Sequence, residues 1–411
     1  MDKVVKHMLP QYMKQFTCTG SACEDTCCSS WNIYIDKPTY EKYQKVKEPE
    51  LTEKIKTNVK RVKKDATEQK YAVMKLDDQG FCSFLSEEKL CGIQTKLGEK
   101  ALCYTCAVYP RTNNLVDGVI EMGSKLSCPE TARLALLNER PMEFDVVEQQ
   151  DHYSMYNNRI NTIGSGKGSL QAYFWDLRIF VISLLQNRAY RFNERVILLG
   201  MFCEKLDSIH SAKEYVKIPA LLSQFKHQLD NRMIDSFLSN VKIAPHVSVK
   251  LLLEMMQTRA KMGGGNKRYA EFVGKTSKGL MLESGDAGIV LDQYIKGLNK
   301  IYDPFMVKHE YILENYCVNY VFERLFLFEK RKGILQQYIQ MVSILSLIKF
   351  QLIGIGLVSE EGDLTPEKAV SFIQSFSRNS EHFGGFLQTL VENVEQTGLN
   401  SLALMIILLK S

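Results

Sequence analysis

The chain has 411 residues, 45% of them hydrophobic and 24% charged, and its 52 Lys and Arg against 47 Asp and Glu leave a net charge of +5. At roughly 150 residues per domain this length predicts two or three domains, and the composition excludes wholesale disorder. So slight a positive charge, with no long basic run, gives no reason to expect a nucleic-acid partner.

The opening residues Met1 to Pro10 show no apolar stretch with a small-residue cleavage site, so no secretory signal is expected there. No run reaches the ~20 apolar residues of a membrane span. Ile344 to Val358 is interrupted by Lys349 and Gln351, and Leu402 to Leu409 is short and reads as a buried terminal helix. The expected location is cytoplasmic. In a reducing compartment many cysteines point to metal or catalysis rather than disulfides.

Met8 to Tyr43 is irregular, with a Cys/Gly/Ser knot followed by Trp31 to Ile35, which alternates like a half-buried strand. Asp36-Lys37-Pro38-Thr39 is a turn that launches a helix from Tyr40 to about Lys47. Residues 48–70 are rich in Lys and Glu and predict solvated helix, Tyr71 to Leu76 a strand, and Asp77 to Gly80 a turn. The next cysteines arrive in loops and short helices. Pro129-Glu130 opens a helix through Leu137, because Pro and an acid suit the first turn. Residues 141–168 read as a connector with a short strand near Phe144 to Val147, and its Gly164 to Ser169 stretch as a flexible linker.

From residue 169 the pattern turns to long amphipathic helices. They are expected over Leu170–Asn187, Asn193–Ser208, Val247–Met262, Met306–Phe328, Ile334–Ile353, Pro366–Phe376 and Phe383–Val394, with Gly263-Gly264-Gly265 as a helix stop. The predicted fold is mainly α. A small loop-rich cysteine metal-binding domain with minor β (1–140) and a connector (141–168) precede a larger all-α helical domain (169–411).

Of eleven cysteines, nine lie before residue 130: Cys18, Cys23, Cys27, Cys28, Cys82, Cys91, Cys103, Cys106 and Cys128. Cys203 and Cys317 sit in apolar helical patterns and read as plain buried thiols. Dense thiolates select zinc, copper(I) or iron–sulfur clusters, and His7 is the sole histidine among them. Only Cys103-x2-Cys106 is a tight zinc-type knuckle, so iron–sulfur is the first reading and zinc the alternative. Nine candidates exceed one four-ligand site. They could serve two sites, or one site with spare thiols, and spacing does not choose the ligands. Glu24-Asp25 reads as charge compensation, Trp31 as packing against the metal shell, and Asp176 and Arg178 as structural charges. Arg111, in Tyr109-Pro110-Arg111, either faces a carboxylate ligand or holds the fold.

The block Phe16-x-Cys18-x-Gly20-x2-Cys23-Glu24-Asp25-Thr26-Cys27-Cys28-x2-Trp31-x-Ile33 opens a longer series. Phe81-Cys82-x-Phe84-Leu85, Leu90-Cys91, Cys103-x2-Cys106-x2-Tyr109-Pro110-Arg111 and Ser127-Cys128-Pro129-Glu130-x-Ala132-Arg133-Leu134 follow it. Tyr173-Phe174-x-Asp176-Leu177-Arg178 and Leu185-Gln186-Asn187-Arg188 complete it. The series resembles the flagellin lysine-N-methylase (FliB-type) family, part of a wider group with a zinc- or iron-chelating CxxxCC-type domain. The resemblance implies a protein-lysine N-methyltransferase that uses S-adenosylmethionine on surface lysines of flagellin, with an iron–sulfur cluster of four irons in the cysteine domain.

No residue is assigned to catalysis or to the methyl-donor pocket. Gly164 to Ser169 follows no convincing strand, so the usual nucleotide-binding turn is missing. Ser30 stands where the third cysteine of a Cys-x3-Cys-x2-Cys radical motif would fall. A neutral lysine amine needs no radical to attack a sulfonium methyl. It needs its proton removed and an in-line approach. The alternative from another class is a non-enzymatic zinc or iron–sulfur interaction or redox module. A thiol oxidoreductase built on Cys103-x2-Cys106 is disfavoured by the lack of a βαβ pattern around it. The Lys54 to Lys64 stretch reads as a solvated face, with a peripheral membrane or flagellin contact as the lesser option. The oligomeric state is left open.

Overall fold

The greasiest run of the sequence becomes the buried axis of the larger part of the protein. The computed structural model describes residues 4–411 except 151–154, 241–242, 331, 360–363, 383–384 and 397–401. The N-terminal part contains β1 Val4–Pro10, β2 Tyr34–Ile35, α1 Lys37–Tyr43, α2 Pro49–Asn58, β3 Val59–Arg61 and β4 Ala72–Met74. It continues with α3 Gly92–Leu97, α4 Tyr104–Val108, β5 Arg111–Val116, β6 Val119–Ser124, α5 Pro129–Leu136, β7 Phe144–Gln150 and β8 Arg159–Ile160. Helices make up the rest: α6 Phe174–Leu185, α7 Phe192–Ser211, α8 Ile218–Asp230, α9 Asp235–Asn240, α10 Pro245–Lys261 and α11 Lys267–Gly279. They are followed by α12 Ala287–Gly297, α13 Asp303–Arg324, α14 Ile334–Leu357, α15 Pro366–Phe376, α16 Phe386–Gln396 and α17 Leu402–Lys410. The mainly α fold with minor β matches the expectation.

Two sheets organise the N-terminal part, in the orders β7-β1-β6-β5-β8 and β2-β4-β3. β1 runs antiparallel to β7 and parallel to β6, and β5 and β6 form a hairpin. The sequence reading passes over that hairpin and over β1. The hairpin's signal is present in Asp117-Gly118, whose φ values of 49° and 80° suit the two central positions of a tight hairpin turn. Residues of the expected connector supply β7 and β8 to this sheet. The strand expected over Trp31 to Ile35 shortens to its last two residues, β2.

Core packing does not follow the order of the chain. A small core holds Ile33, Ile35, Tyr43, Leu51, Ile55, Phe84 and Ile93 with several cysteines. Leu9, Tyr12, Met13, Leu126, Leu136 and Met142 belong instead to the large core of the helical body. At its centre, α14 is buried along its length, as an all-round apolar helix must be. It is long and apolar enough to cross a membrane by composition, and it is wholly enclosed by the other helices. α17, the greasy tail, packs against α14 and α7. Helices α8, α9, α11 and α12 are not among those expected from the sequence, and α11 and α12 carry Gly274, Gly279, Gly288 and Gly297. Two of these permit close packing: a Cβ at Gly279 would lie 2.0 Å from the Gly354 carbonyl oxygen, and one at Gly297 would lie 2.6 Å from Ile353. The expected start of a helix at Phe383 lies outside the described residues.

Buried ion pairs fix helix to helix and helix to sheet. Arg195 of α7 donates to Glu314 of α13 at 2.5 Å and to the Leu185 carbonyl at 2.7 Å, with both charged groups fully buried. Arg178 of α6 donates to Glu121 of β6 at 2.5 Å, which is the structural role read for it. Removing one partner of such a pair leaves an uncompensated charge. Glu314→Gln is therefore expected to cost about 3–5 kcal/mol, read as an earlier urea midpoint, while replacing Arg195 and Glu314 together by apolar residues recovers most of it. Equal losses in the single and double variants would contradict this.

Candidate metal centre and the pocket beside it

The nine N-terminal thiols fall into two neighbouring groups. Cys28, Cys82, Cys91, Cys103 and Cys106 pack in the small core. The Cys82 amide donates to the Cys28 carbonyl at 2.8 Å, and the Cys103 and Cys106 thiols are hydrogen-bonded to each other. Cys18, Cys23, Cys27 and Cys128 stand outside that core, where Cys128 feels Cys23, and Cys27 feels Cys18 and Cys128. The groups meet at the adjacent pair. The Cys27 thiol's hydrogen bond, with help from Thr26 and Arg378, brings Cys28 down to about 7 against burial, while Cys27 is pushed up. Cys203 and Cys317 are fully buried in α7 and α13, their thiols raised by burial, as read.

Local structure presents several of these sulfurs to backbone amides. Cys91, Cys103 and Cys128 each occupy the residue that begins a helix, α3, α4 and α5. Backbone hydrogen bonds reach Cys91 from Gln94, Cys103 from Cys106, Cys128 from Thr131, Cys82 from Phe84 and Cys23 from Asp25. Burial raises the Cys23, Cys82, Cys91 and Cys128 thiols, and these amides act against it by favouring the thiolate, the form that binds metal. The donor set therefore fits a thiolate-ligated centre. Among the described residues, no three His, Cys, Asp or Glu side chains are arranged to hold a single metal ion.

The cysteine loop is stapled to the helical body through Asp25, which is buried. Arg378 donates to its Oδ1 at 2.5 Å and its carbonyl at 2.8 Å, Asn266 to Oδ1 at 2.9 Å and Gln374 to Oδ2 at 2.9 Å. Arg378 also grips Ser29, through its carbonyl at 2.9 Å and its hydroxyl at 2.8 Å. Gln374 reaches the Ser127 carbonyl at 2.7 Å, which places Cys128 beside the loop of Cys23 and Cys27. Glu24 pairs with Arg133 at 2.5 Å. Both acids are thus engaged in ion pairs with arginines, Glu24 with Arg133 and Asp25 with Arg378. Arg111 stacks 5.1 Å from the Phe16 ring, an internal contact.

At this seam a recess is lined by Cys27, Trp31, Tyr109, Ser127, Arg378 and His382. The Trp31 and Tyr109 rings stand 5.5 Å apart, and Trp31 donates to the Cys27 carbonyl at 2.5 Å. Ser127 Oγ meets the Tyr109 hydroxyl at 3.0 Å and His382 Nε2 at 2.7 Å. Burial, followed by Lys125, lowers His382 to about 3, so the ring is neutral. Behind it lies a polar pocket. There Lys125 pairs with Glu323, Arg324 with Glu381 at 3.0 Å, and the Tyr316 hydroxyl donates to Glu381 at 2.8 Å. Sequence reading misses Arg378, His382, Gln374 and Asn266. Nothing near them in the chain marks them, because their partners lie about 240–350 residues away.

Fold and site together define a helical protein with an N-terminal cysteine module. A profile of the FliB lysine N-methylase C-terminal domain matches residues 178–408, more than half of the chain, and the chain belongs to that family. It is 35% identical over 127 residues to the flagellar biosynthetic protein FliU of Salmonella muenchen, which is 30% of this chain and 74% of that protein. The same identity over 127 residues relates it to proteins named lysine-N-methylase from Salmonella typhimurium and Salmonella choleraesuis, where the match spans 31% of their length. No solved structure matches. The profile includes Arg378 and His382 but none of the nine N-terminal cysteines.

Proposed function

We propose that the protein is a protein-lysine N-methyltransferase that takes its methyl group from S-adenosylmethionine and acts on flagellin, with an iron–sulfur cluster held by the N-terminal cysteines. The observation that carries the reading is the recess at the seam, where a wall from the family's helical domain faces Cys27. Relatives named for lysine methylation and flagellar biosynthesis support the reaction and the kind of substrate. The amide-directed thiols support the cluster, with its four ligands drawn from the nine: Cys28, Cys82, Cys91, Cys103 and Cys106 form one group of candidates and Cys18, Cys23, Cys27 and Cys128 the other. Such a cluster supplies redox or Lewis-acid chemistry when bound.

The chain's own residues have a narrower task. A lysine ammonium, with an ordinary pKa of ~10.4, must lose its proton before nitrogen attacks a methyl group. Desolvation and neighbouring cations both favour the neutral amine. The recess offers both, since His382 beside it is pushed down by burial and by Lys125, Arg324 and Arg378. The faces of Trp31 and Tyr109 suit the apolar stem of the lysine.

The test is anaerobic purification, analysis of iron, sulfide and zinc, and incubation with flagellin and methyl-labelled S-adenosylmethionine. Label on flagellin lysines, with about four irons and four sulfides for each cluster, is the expected result. A protein with tightly held zinc, no iron and no methyl transfer would favour the non-enzymatic module.

A further inference from the structure

A second recess lies inside the helical body, among α10, α11 and α14, and encloses about 720 Å³ counting the part open to solvent. Its enclosed part, about 230 Å³, is smaller than the roughly 300–1,000 Å³ of drug-sized sites and suits one flat fragment rather than a large ligand. Phe376, Phe386 and Met256 supply aromatic and thioether faces, and Tyr269, Gln351 and the glycine turn before α11 supply the polar part. Gly263, Gly264 and Gly265 all have positive φ, at 65°, 67° and 110°. The turn therefore carries bare backbone past the mouth of the recess to Asn266, which caps α11 by accepting from the Tyr269 amide at 2.9 Å.

One group in this recess is incomplete. Gln351 is 1% exposed, and among the described residues its amide oxygen has no hydrogen-bond partner, while its nitrogen reaches the Leu347 carbonyl at 3.4 Å. The Tyr269 hydroxyl, which accepts from Ser380 at 3.3 Å, stands near the same amide. A buried acceptor without a donor is costly, and a ligand N–H entering the recess relieves that cost. The complementary ligand is flat and aromatic on both faces and carries an amino group on its edge. Adenine has that form.

The recess also backs onto the cysteine seam. The Asn379 carbonyl accepts from Arg259 Nε at 2.9 Å and Nη2 at 2.6 Å, and its Oδ1 accepts from the Asn266 amide at 2.9 Å. Asn379 itself lines the recess beside Cys27, and it belongs to the π-helical turn Ser377–Glu381, a rare geometry that recurs at functional sites. We propose that the recess between α10, α11 and α14 binds the adenosyl group of S-adenosylmethionine or its demethylated product, with Gln351 accepting from the adenine amino group and Phe376, Phe386 and Met256 covering the ring. This deepens the methyltransferase reading and rests on it.

The test uses the full chain with its metal content intact and titrates S-adenosylhomocysteine and adenosine by calorimetry. Ala270→Trp, on the rim of the recess, and Gln351→Leu are each expected to weaken both ligands about tenfold or more without changing metal content. An 8-azidoadenosyl photolabel should mark peptides of α10, α11 or α14, which gives a readout even if a variant misfolds. Unchanged affinity in Ala270→Trp with label elsewhere would overturn the assignment and leave the methyltransferase reading standing. Failure of the unaltered protein to bind either ligand at millimolar concentration, while flagellin is still methylated, would overturn it as well. Failure of both binding and methylation would remove the reading on which it rests.

Discussion

With the proposed cluster in place, Cys103→Ser is expected to strip the metal from the cysteine module and loosen its small core, whereas Cys203→Ser keeps the metal in full. Cys103 is fully buried, opens α4, is hydrogen-bonded to Cys106 and packs with Cys28, Cys82 and Cys91. The apolar residues around it are few, and a core of that size needs a staple. Thiolate metal sites contribute on the order of 10–16 kcal/mol where zinc serves the structural role, so losing a central ligand outweighs any packing change. Cys203 is equally buried but lies in α7 within the large core, so its replacement costs only the burial of a hydroxyl. Iron and sulfide per chain, with limited proteolysis between Cys18 and Cys128, decide the matter. Full metal content in Cys103→Ser would exclude this cysteine from the ligand set.

Gly279→Val should separate α11 from α14 and destabilise the helical body by about 3 kcal/mol or more, at the upper end for overpacking. Overpacked side chains usually relax by moving other side chains, but here the clash is with backbone. A Cβ at Gly279 meets the Gly354 carbonyl oxygen at 2.0 Å and its carbon at 2.8 Å, and one at Gly354 meets Thr276 Cα and O at 2.9 Å. Among the described residues nothing lies within 4 Å of a Cβ added at Gly274 on the same helix, so Gly274→Ala should be neutral or stabilise by up to ~1 kcal/mol. Thr276 also bonds the Gln351 carbonyl at 3.4 Å, so a shifted α11 deforms the recess as well. The expected pattern is an earlier denaturation midpoint and weaker S-adenosylhomocysteine binding in Gly279→Val, with metal content unchanged. Matching midpoints for Gly279→Val and Gly274→Ala would refute the close crossing.

Whatever rests on local pattern was legible in the sequence. Apolar periodicity located α6, α7, α10 and α13 to α15 within a few residues, and the clustered cysteines pointed to thiols that lie together in the fold. Cys203 and Cys317 were separable from the other nine by their helical setting alone. The Asp117-Gly118 hairpin was legible too but lay among cysteines that drew the reading toward loops. Gly279 and Gly297 carry no such local signal. A glycine that breaks a helix and one that lets two helices touch look alike until the partner helix is known.

The candidate site belongs to the other category. Asp25 is held by Asn266, Gln374 and Arg378, and His382 meets Ser127, across chain separations of about 240–350 residues. Such contacts leave no periodic trace, because each needs only one residue of the right kind at one place on an element. The sequence by itself therefore determined the helical class and the family, and it determined that thiols would gather. Tertiary structure alone decided how they divide at Cys27 and Cys28 and which helical residues face them, because hydrogen bonds and burial act through space and only periodicity and propensity act along the chain.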